Sequence, residues 1–485
     1  MPKKYQMYIG GQWVDAANGQ TFPDHDPYTG QVFAQVAAAS KADAARAVDA
    51  AAAAFPAWSQ MPPGARRGYF LKAADIMERR QKEVVQLLTE ETGCTFGFAM
   101  FQTGFTPGLL REAAAQTYSV TGEILPADLP GAFFMALRQP VGVVAGIAPW
   151  NAPLILSLRA VALPMAYGNT TVLKPSSESP VSGGLIFAEI FEEAGLPKGV
   201  LNVVTNGPGK SEEVGDVLIE HPKVRRISFT GSTEVGRQIA EKAGRHLKRV
   251  SLELGGSDPI IVLRDADIDY AVNAAAFGRF LHQGQICMSS KRIIVERPVV
   301  REFTEKFVAK ARSLKVGDPR QMDTVIGPLI NRSQLDKLAA QVDDSVRQGA
   351  KVLCGGKAQG PCYPPTVMSD VGYNMRVFRE ETFGPVAPVL TVSDAEEALR
   401  VANDTPWGLS AGIITRDFNK GLELAERLES GMVHINDSSV HDEPQVPFGG
   451  VKDSGFGRHG GKAALDEFTE LRWITVQRTP RQYPF

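Results

Sequence analysis

Cysteine is scarce in this chain: four residues in 485, at positions 94, 287, 354 and 362. None stands in a CxxC pair or at metal-ligand spacing, which excludes a dithiol redox motif and a cysteine zinc site, and no metal is expected. So few thiols suit a reducing compartment, where a single thiolate survives. An excess of one charge is also missing. Lys and Arg number 52 against 54 Asp and Glu, a formal net charge of −2, so nothing electrostatic points to nucleic acid or an anionic membrane as partner. No apolar run reaches membrane-spanning length, and residues 1–11 lack an apolar core of signal-peptide size. The expectation is a soluble, cytoplasmic protein. What remains is ordinary globular material, 44% hydrophobic and 22% charged with 47 Gly and 32 Pro, and long enough for two or three domains.

The organisation changes along the chain. Residues 41–92, rich in Ala, Glu, Lys and Arg, read as two long helices broken near Pro62-Pro63. From residue 141 strands and helices alternate at about 25–30 residues per unit. Strands are expected at 141–148, 170–173, 200–205, 226–229 and 250–254, with helices at 153–168, 180–194, 211–220 and 233–246. Such alternation predicts an α/β fold with a parallel, doubly wound sheet. A second α/β unit begins near residue 257. Two strand-like segments, 131–140 and 471–477, fit neither unit and are candidates for an arm that pairs with another subunit.

Ligands of a doubly wound sheet bind beyond the carboxyl ends of its strands. Asn151, Lys174, Ser232 and Glu253 all fall at such ends. Glu253 closes an apolar run before Gly255-Gly256, and Cys287 follows in a stretch of glycine, amides and hydroxyls. A thiol and a carboxylate so placed suit a covalent sulfur intermediate and the base that resolves it. Their plain alternatives are a small buried hydrophobe and a strand end. Asn151 lies between Pro149 and Pro153, which stiffen the turn, so its amide suits an oxyanion or merely the turn. The segment 229–236 runs from strand to helix through Gly231-Ser232-Thr233, where free N–H groups suit a phosphate and Ser232 or Thr233 equally suits an N-cap. No GxGxxG follows the first strand, so a dinucleotide is held in some other way. Lys174 suits a ribose or phosphate, or is a solvated lysine. Glu381 suits ribose hydroxyls and Phe383 a flat ring, unless they are a charged loop and a core aromatic. The glycine-dense loop 447–457 lines a pocket or an interface.

Taken together, APWNAP (148–153), TVLKP (171–175), FTGSTEVG (229–236), LELGG (252–256), GQIC (284–287), EETFGPV (380–386) and PFGGVKDSGFGR (447–458) resemble the aldehyde dehydrogenase superfamily over essentially the whole chain, in that family's order. The resemblance implies a Rossmann-like cofactor domain at 1–122 and 142–255, a catalytic α/β domain at 256–453, and a small β oligomerisation arm at 123–141 and 463–485. It implies that Cys287 is the nucleophile, Asn151 an oxyanion donor, Glu253 the base for a hydrolytic, non-acylating release, and Glu470 a further proton-relay acid. It implies NAD bound by Ile147, Pro149, Trp150, Lys174, Ser177, Gly215, Phe229, Thr230, Gly231, Ser232, Val235, Leu254, Glu381 and Phe383. One departure concerns Ser177, where NAD-selective relatives carry a ribose-binding Glu; here the acid comes at Glu178, so NADP is expected to be accepted too. A homodimer or homotetramer is expected.

Ala152, where many relatives have Phe, leaves room for a flat ring. With 147–156 and 441–450 it resembles the branch acting on salicylaldehyde, vanillin and benzaldehydes. The pocket walls are then Ala152, Ile286, Met288 and Phe448. A semialdehyde or aliphatic aldehyde dehydrogenase is the alternative, with Arg159 as the one candidate anchor for a distal carboxylate. A cofactor-independent thiol esterase using Cys287 is the alternative of another class.

Overall fold

A computed structural model describes residues 2–485. The apolar run Val143–Ile147 and the mixed segment Thr170–Lys174 are both buried along their whole length, as parallel strands covered on both sides must be. They belong to an eight-stranded sheet in the order Gly455–Phe456, Arg249–Glu253, Val224–Thr230, Val143–Ile147, Thr170–Lys174, Leu201–Val203, Met7–Ile9, Gln12–Val14. The middle five are parallel, and the flanking strands join antiparallel. Among the five, the chain winds one way from Val143–Ile147 and then the other. The switch point therefore lies between the carboxyl ends of Val143–Ile147 and Val224–Thr230.

A second sheet, with only its first strand antiparallel, runs Lys351–Cys354, Thr366–Ser369, Val386–Val392, Ser290–Glu296, Asp258–Val262, Ser410–Ile414, Met432–Ile435. The two strands that had no place in either unit pair with each other. Thr469–Gln477 runs antiparallel to Ala132–Pro140, which also takes Gly122–Leu125. This three-stranded arm exposes Ile124, Leu471 and Trp473.

Residues 41–92 form three helices rather than two: Lys41–Gln60, Pro63–Arg79 and Gln81–Thr92. The first break falls at Pro62-Pro63 as expected. The second is at Arg80, whose backbone leaves helical geometry (ψ 9°) while its guanidinium binds Glu83 and Glu189. A half-buried helix, Phe96–Gln116, follows and supplies Phe98 and Phe101 to the site.

Candidate active site

Cys287 sits between a short turn, Leu281–Gly284, and the strand Ser290–Glu296. His282, Gln283 and Gly284 all take positive φ (50°, 55° and 71°), which swings the chain sharply before the thiol. Two of these are not glycine, so the turn is strained and held by its surroundings. The Gln283 amide donates to the Gly93 and Pro328 carbonyls at 3.1 and 3.0 Å, and the His282 ring stacks on Phe98 at 4.3 Å. Gly284 is obligatory, since a Cβ there would stand 2.6 Å from the Gly384 carbonyl oxygen. Cys287 emerges half-buried.

Asn151 approaches from the turn after Val143–Ile147, and its Nδ2 donates to the Gln285 carbonyl at 3.0 Å. Amide and nucleophile loop are thereby locked to one another. Glu253 ends its strand, held on one side by Val224–Thr230 and on the other by Gly455. Its oxygens are buried, face the Cys287 thiol and meet no N–H or O–H donor among the described residues. Burial pushes its carboxyl up to about 7, opposed by the nearby Cys287 thiol and by Arg159. The thiol is itself held well above its usual range, by burial and then by the Glu253 charge. A thiol reluctant to ionise beside a carboxylate near 7 is an arrangement for passing a proton between them.

Two cavities meet at this point. One, of about 380 Å³, has Phe98, Phe101, Phe277, Leu281, Ile155 and Val440 in its walls together with Ala152, Ile286, Met288 and Phe448. The four pocket residues expected from sequence are thus all present. The other, of about 180 Å³, contains Trp150, Glu253, Leu254, Glu381 and Phe383. Asn151 and Cys287 belong to the walls of both. Pro149, Thr230, Gly231 and Ser232 are shared between the second cavity and a third of about 310 Å³, lined also by Ile147, Lys174, Gly215, Phe229 and Val235.

The third cavity lies at the switch point and at the start of the helix Thr233–Arg245, whose N-cap Ser232 accepts from the Val235 N–H. Lys174 is buried there with no ion-pair partner among the described residues, and burial lowers its ammonium to about 8. An unpaired buried ammonium beside a helix N-terminus fits an anionic phosphate or a ribose. Gly231 is needed, because a Cβ would reach 2.4 Å from the Phe229 ring. The residues present fit a dinucleotide. Ser177 is the exception among those expected: the wall is made by Ser176, and Glu178 turns toward Asn331 and His25. In the smaller cavity Glu381 Oε1 accepts from the Gly256 N–H at 3.1 Å, and Phe383 packs edge-on against Trp150.

Glu470 is not part of this assembly. It is half-exposed on the arm and accepts from Arg226 at 3.1 Å, in a cavity formed with Arg249 near the opposite end of the sheet strands. Its side chain neutralises a cation there, four residues of strand away from Glu253. Arg159 is also committed. It is buried against Asp442 at 2.5 Å and beneath the Phe448 ring at 4.5 Å, behind the two residues that line the aromatic cavity, so its charge is spent on Asp442 and does not reach a substrate carboxylate. Sequence reasoning missed Phe98, Phe101 and Phe277; the spacing of the first two, one helical turn apart, was the available signal.

A doubly wound sheet whose switch-point cavity adjoins a thiol and a carboxylate is the layout of an α/β nucleotide-binding enzyme with a covalent sulfur step. The chain belongs to the aldehyde dehydrogenase family: the sequence profile described as Aldehyde dehydrogenase family matches residues 13–474. It is 48% identical over 478 residues to a vanillin dehydrogenase of Pseudomonas fluorescens, covering 99% of each chain. It is 42% identical over 485 residues to a benzaldehyde dehydrogenase [NAD(+)] of Pseudomonas putida, covering 100% of this chain and 99% of the other. The structure of a salicylaldehyde dehydrogenase from Pseudomonas putida G7, complexed with salicylaldehyde, superposes with a TM-score of 0.97 at 43% identity and full coverage of both chains.

Proposed function

We propose that this protein oxidises aromatic aldehydes of the benzaldehyde type to carboxylic acids, with NAD as acceptor. The carrying observation is that Cys287 and Asn151 belong to the wall common to an aromatic-lined cavity and a cavity leading toward Lys174 and the helix terminus. A flat ring is at home among Phe98, Phe101, Phe277 and Phe448. The names of the relatives point the same way.

In this reading Glu253 takes the Cys287 proton as sulfur adds to the aldehyde carbon. One amide hydrogen of Asn151 already holds Gln285, and the second, with the Cys287 N–H, meets the oxyanion. When bound, the nicotinamide nucleotide supplies the hydride acceptor that converts this adduct to a thioester. Once Glu253 has passed the thiol's proton to solvent, it draws a proton from the attacking water and returns it to the departing sulfur, releasing the acid and the thiol. Lys174, Ser232 and Glu381 hold the nucleotide. The cavity wall after Lys174 is made by Ser176 with no acid following at 177, so no carboxylate there repels a 2′-phosphate and NADP is accepted as well.

A semialdehyde reading loses its only anchor, since Arg159 is paired with Asp442. A cofactor-free esterase leaves the switch-point cavity without a use. The apolar face of the arm is assigned to a second copy of the chain, giving a homodimer or homotetramer in the cytoplasm. The test is the parent enzyme given benzaldehyde and NAD and quenched in acid within the first turnover, beside a Cys287→Ser variant. Intact-mass and peptide analysis is expected to find a benzoyl group on Cys287. No acyl adduct there, alongside undiminished turnover, overturns the mechanism.

A further inference from the structure

Four residues past the nucleophile, the side chain of Lys291 folds back beneath the Cys287 loop with no solvent exposure. Its ammonium donates to the Ile286 carbonyl at 3.1 Å and to the Cys287 carbonyl. It stands 3.6 Å from Glu381 Oε1 and 6.0 Å from the centre of the Phe383 ring. Asp258, buried at the start of its strand, also feels this charge. Burying an ammonium is costly unless its hydrogens are well placed. Here two contacts go to main-chain oxygens of the nucleophile loop, although a carboxylate stands close by.

The Ile286 carbonyl and the Cys287 N–H belong to a single peptide unit. A cation on the oxygen of an amide draws density from its nitrogen and makes the N–H a stronger donor, the cooperativity seen along hydrogen-bond chains. That N–H has no main-chain acceptor among the described residues. It is one of the two donors assigned to the oxyanion. We propose that Lys291 is a positioning residue: it polarises the Ile286–Cys287 peptide toward the oxyanion and, through Glu381, ties that peptide to the nucleotide cavity. The proposal rests on Cys287 being the nucleophile. The same ammonium also favours the thiolate, against Glu253 and Asp258, which face the sulfur with negative charge.

Lys291→Met, Lys291→Gln and Lys291→Arg would be compared with the parent enzyme and with Cys287→Ser. Two readouts are needed: single-turnover NADH formation from benzaldehyde, and alkylation of Cys287 by iodoacetamide across pH in cofactor-free protein. In Lys291→Met, NADH formation is expected to slow by about 10- to 100-fold, a fraction of the loss from removing an oxyanion donor outright. The KM for benzaldehyde should stay within a few-fold, the alkylation curve should move to higher pH, and Lys291→Arg should recover most of the loss. Lys291→Gln keeps donor hydrogens without the charge and carries the test if the Met variant does not fold. Turnover and alkylation at parent values in a neutral variant overturn the proposal. So does an Arg variant as impaired as the Met variant, which reduces Lys291 to a structural filler. NADH formation surviving in Cys287→Ser overturns the underlying assignment of the nucleophile instead. Its loss there, with normal Lys291→Met, refutes the role of Lys291 alone.

Discussion

Glu253 acts in its base form in the proposed reaction, so its titration sets the pH at which the enzyme works. Burial outweighs the Cys287 thiol and the Arg159 charge at Glu253 and pushes its carboxyl up to about 7. Protonation below that point removes the base, so kcat for a good substrate is expected to fall as pH drops through about 7 and to level off above it. A pH profile of kcat that stays flat between 6 and 8 would contradict this. Asn151 is the complementary case: its amide is useful because it cannot move. Replacement by Ala removes a preorganised donor, and kcat should drop by about 10²–10³-fold with a smaller change in KM, read from steady-state NADH formation. Both residues were legible as strand-end polar groups. Glu470 was misread, because proximity in a motif near the C-terminus says nothing about which end of the sheet the returning strand reaches. Its Arg226 partner fixes that end.

At the scale of elements, the strand carrying Glu253 is pinned from outside by Gly455–Phe456, with Gly455 opposite Glu253. Gly455 has φ 108°, and a Cβ there would stand 2.1 Å from the Leu252 carbonyl oxygen. Gly455→Ala therefore strains the backbone by on the order of 1–3 kcal/mol and pushes the short strand from its neighbour. A lowered Tm is expected together with a fall in kcat larger than the stability loss explains, measured by thermal melt and assay. The five parallel strands were legible to within about two residues, because they are short, rich in β-branched residues and alternate with helices at a regular spacing. Phe96–Gln116 was not legible. It is apolar on nearly every face, so no stripe marks it as a helix, and yet it brings Phe98 and Phe101 to the aldehyde cavity. The break at Arg80 was hidden for the opposite reason, lying inside a charge-rich run with no Pro or Gly to announce it.

In the whole molecule, two α/β sheets meet so that each contributes one side of a single reaction centre. The first brings Asn151 and Glu253 on strand ends; the second brings Cys287 on the entry to Ser290–Glu296. Binary patterning revealed the first sheet and the start of the second, but not how their ends face each other, since that depends on contacts hundreds of residues apart. The pairing of the arm strands, from 132–140 to 469–477, is of the same kind. What the assembled molecule adds is a cavity of about 380 Å³ with aromatic walls on the substrate side of the thiol. The central claim is that this cavity selects flat aromatic aldehydes. It is tested most directly by kcat/KM with NAD for benzaldehyde, salicylaldehyde and vanillin against hexanal and a carboxylated semialdehyde. The aromatic aldehydes are expected to lead by at least about tenfold, equivalent to some 1.4 kcal/mol of transition-state binding. A clear preference for hexanal or for the semialdehyde would contradict it.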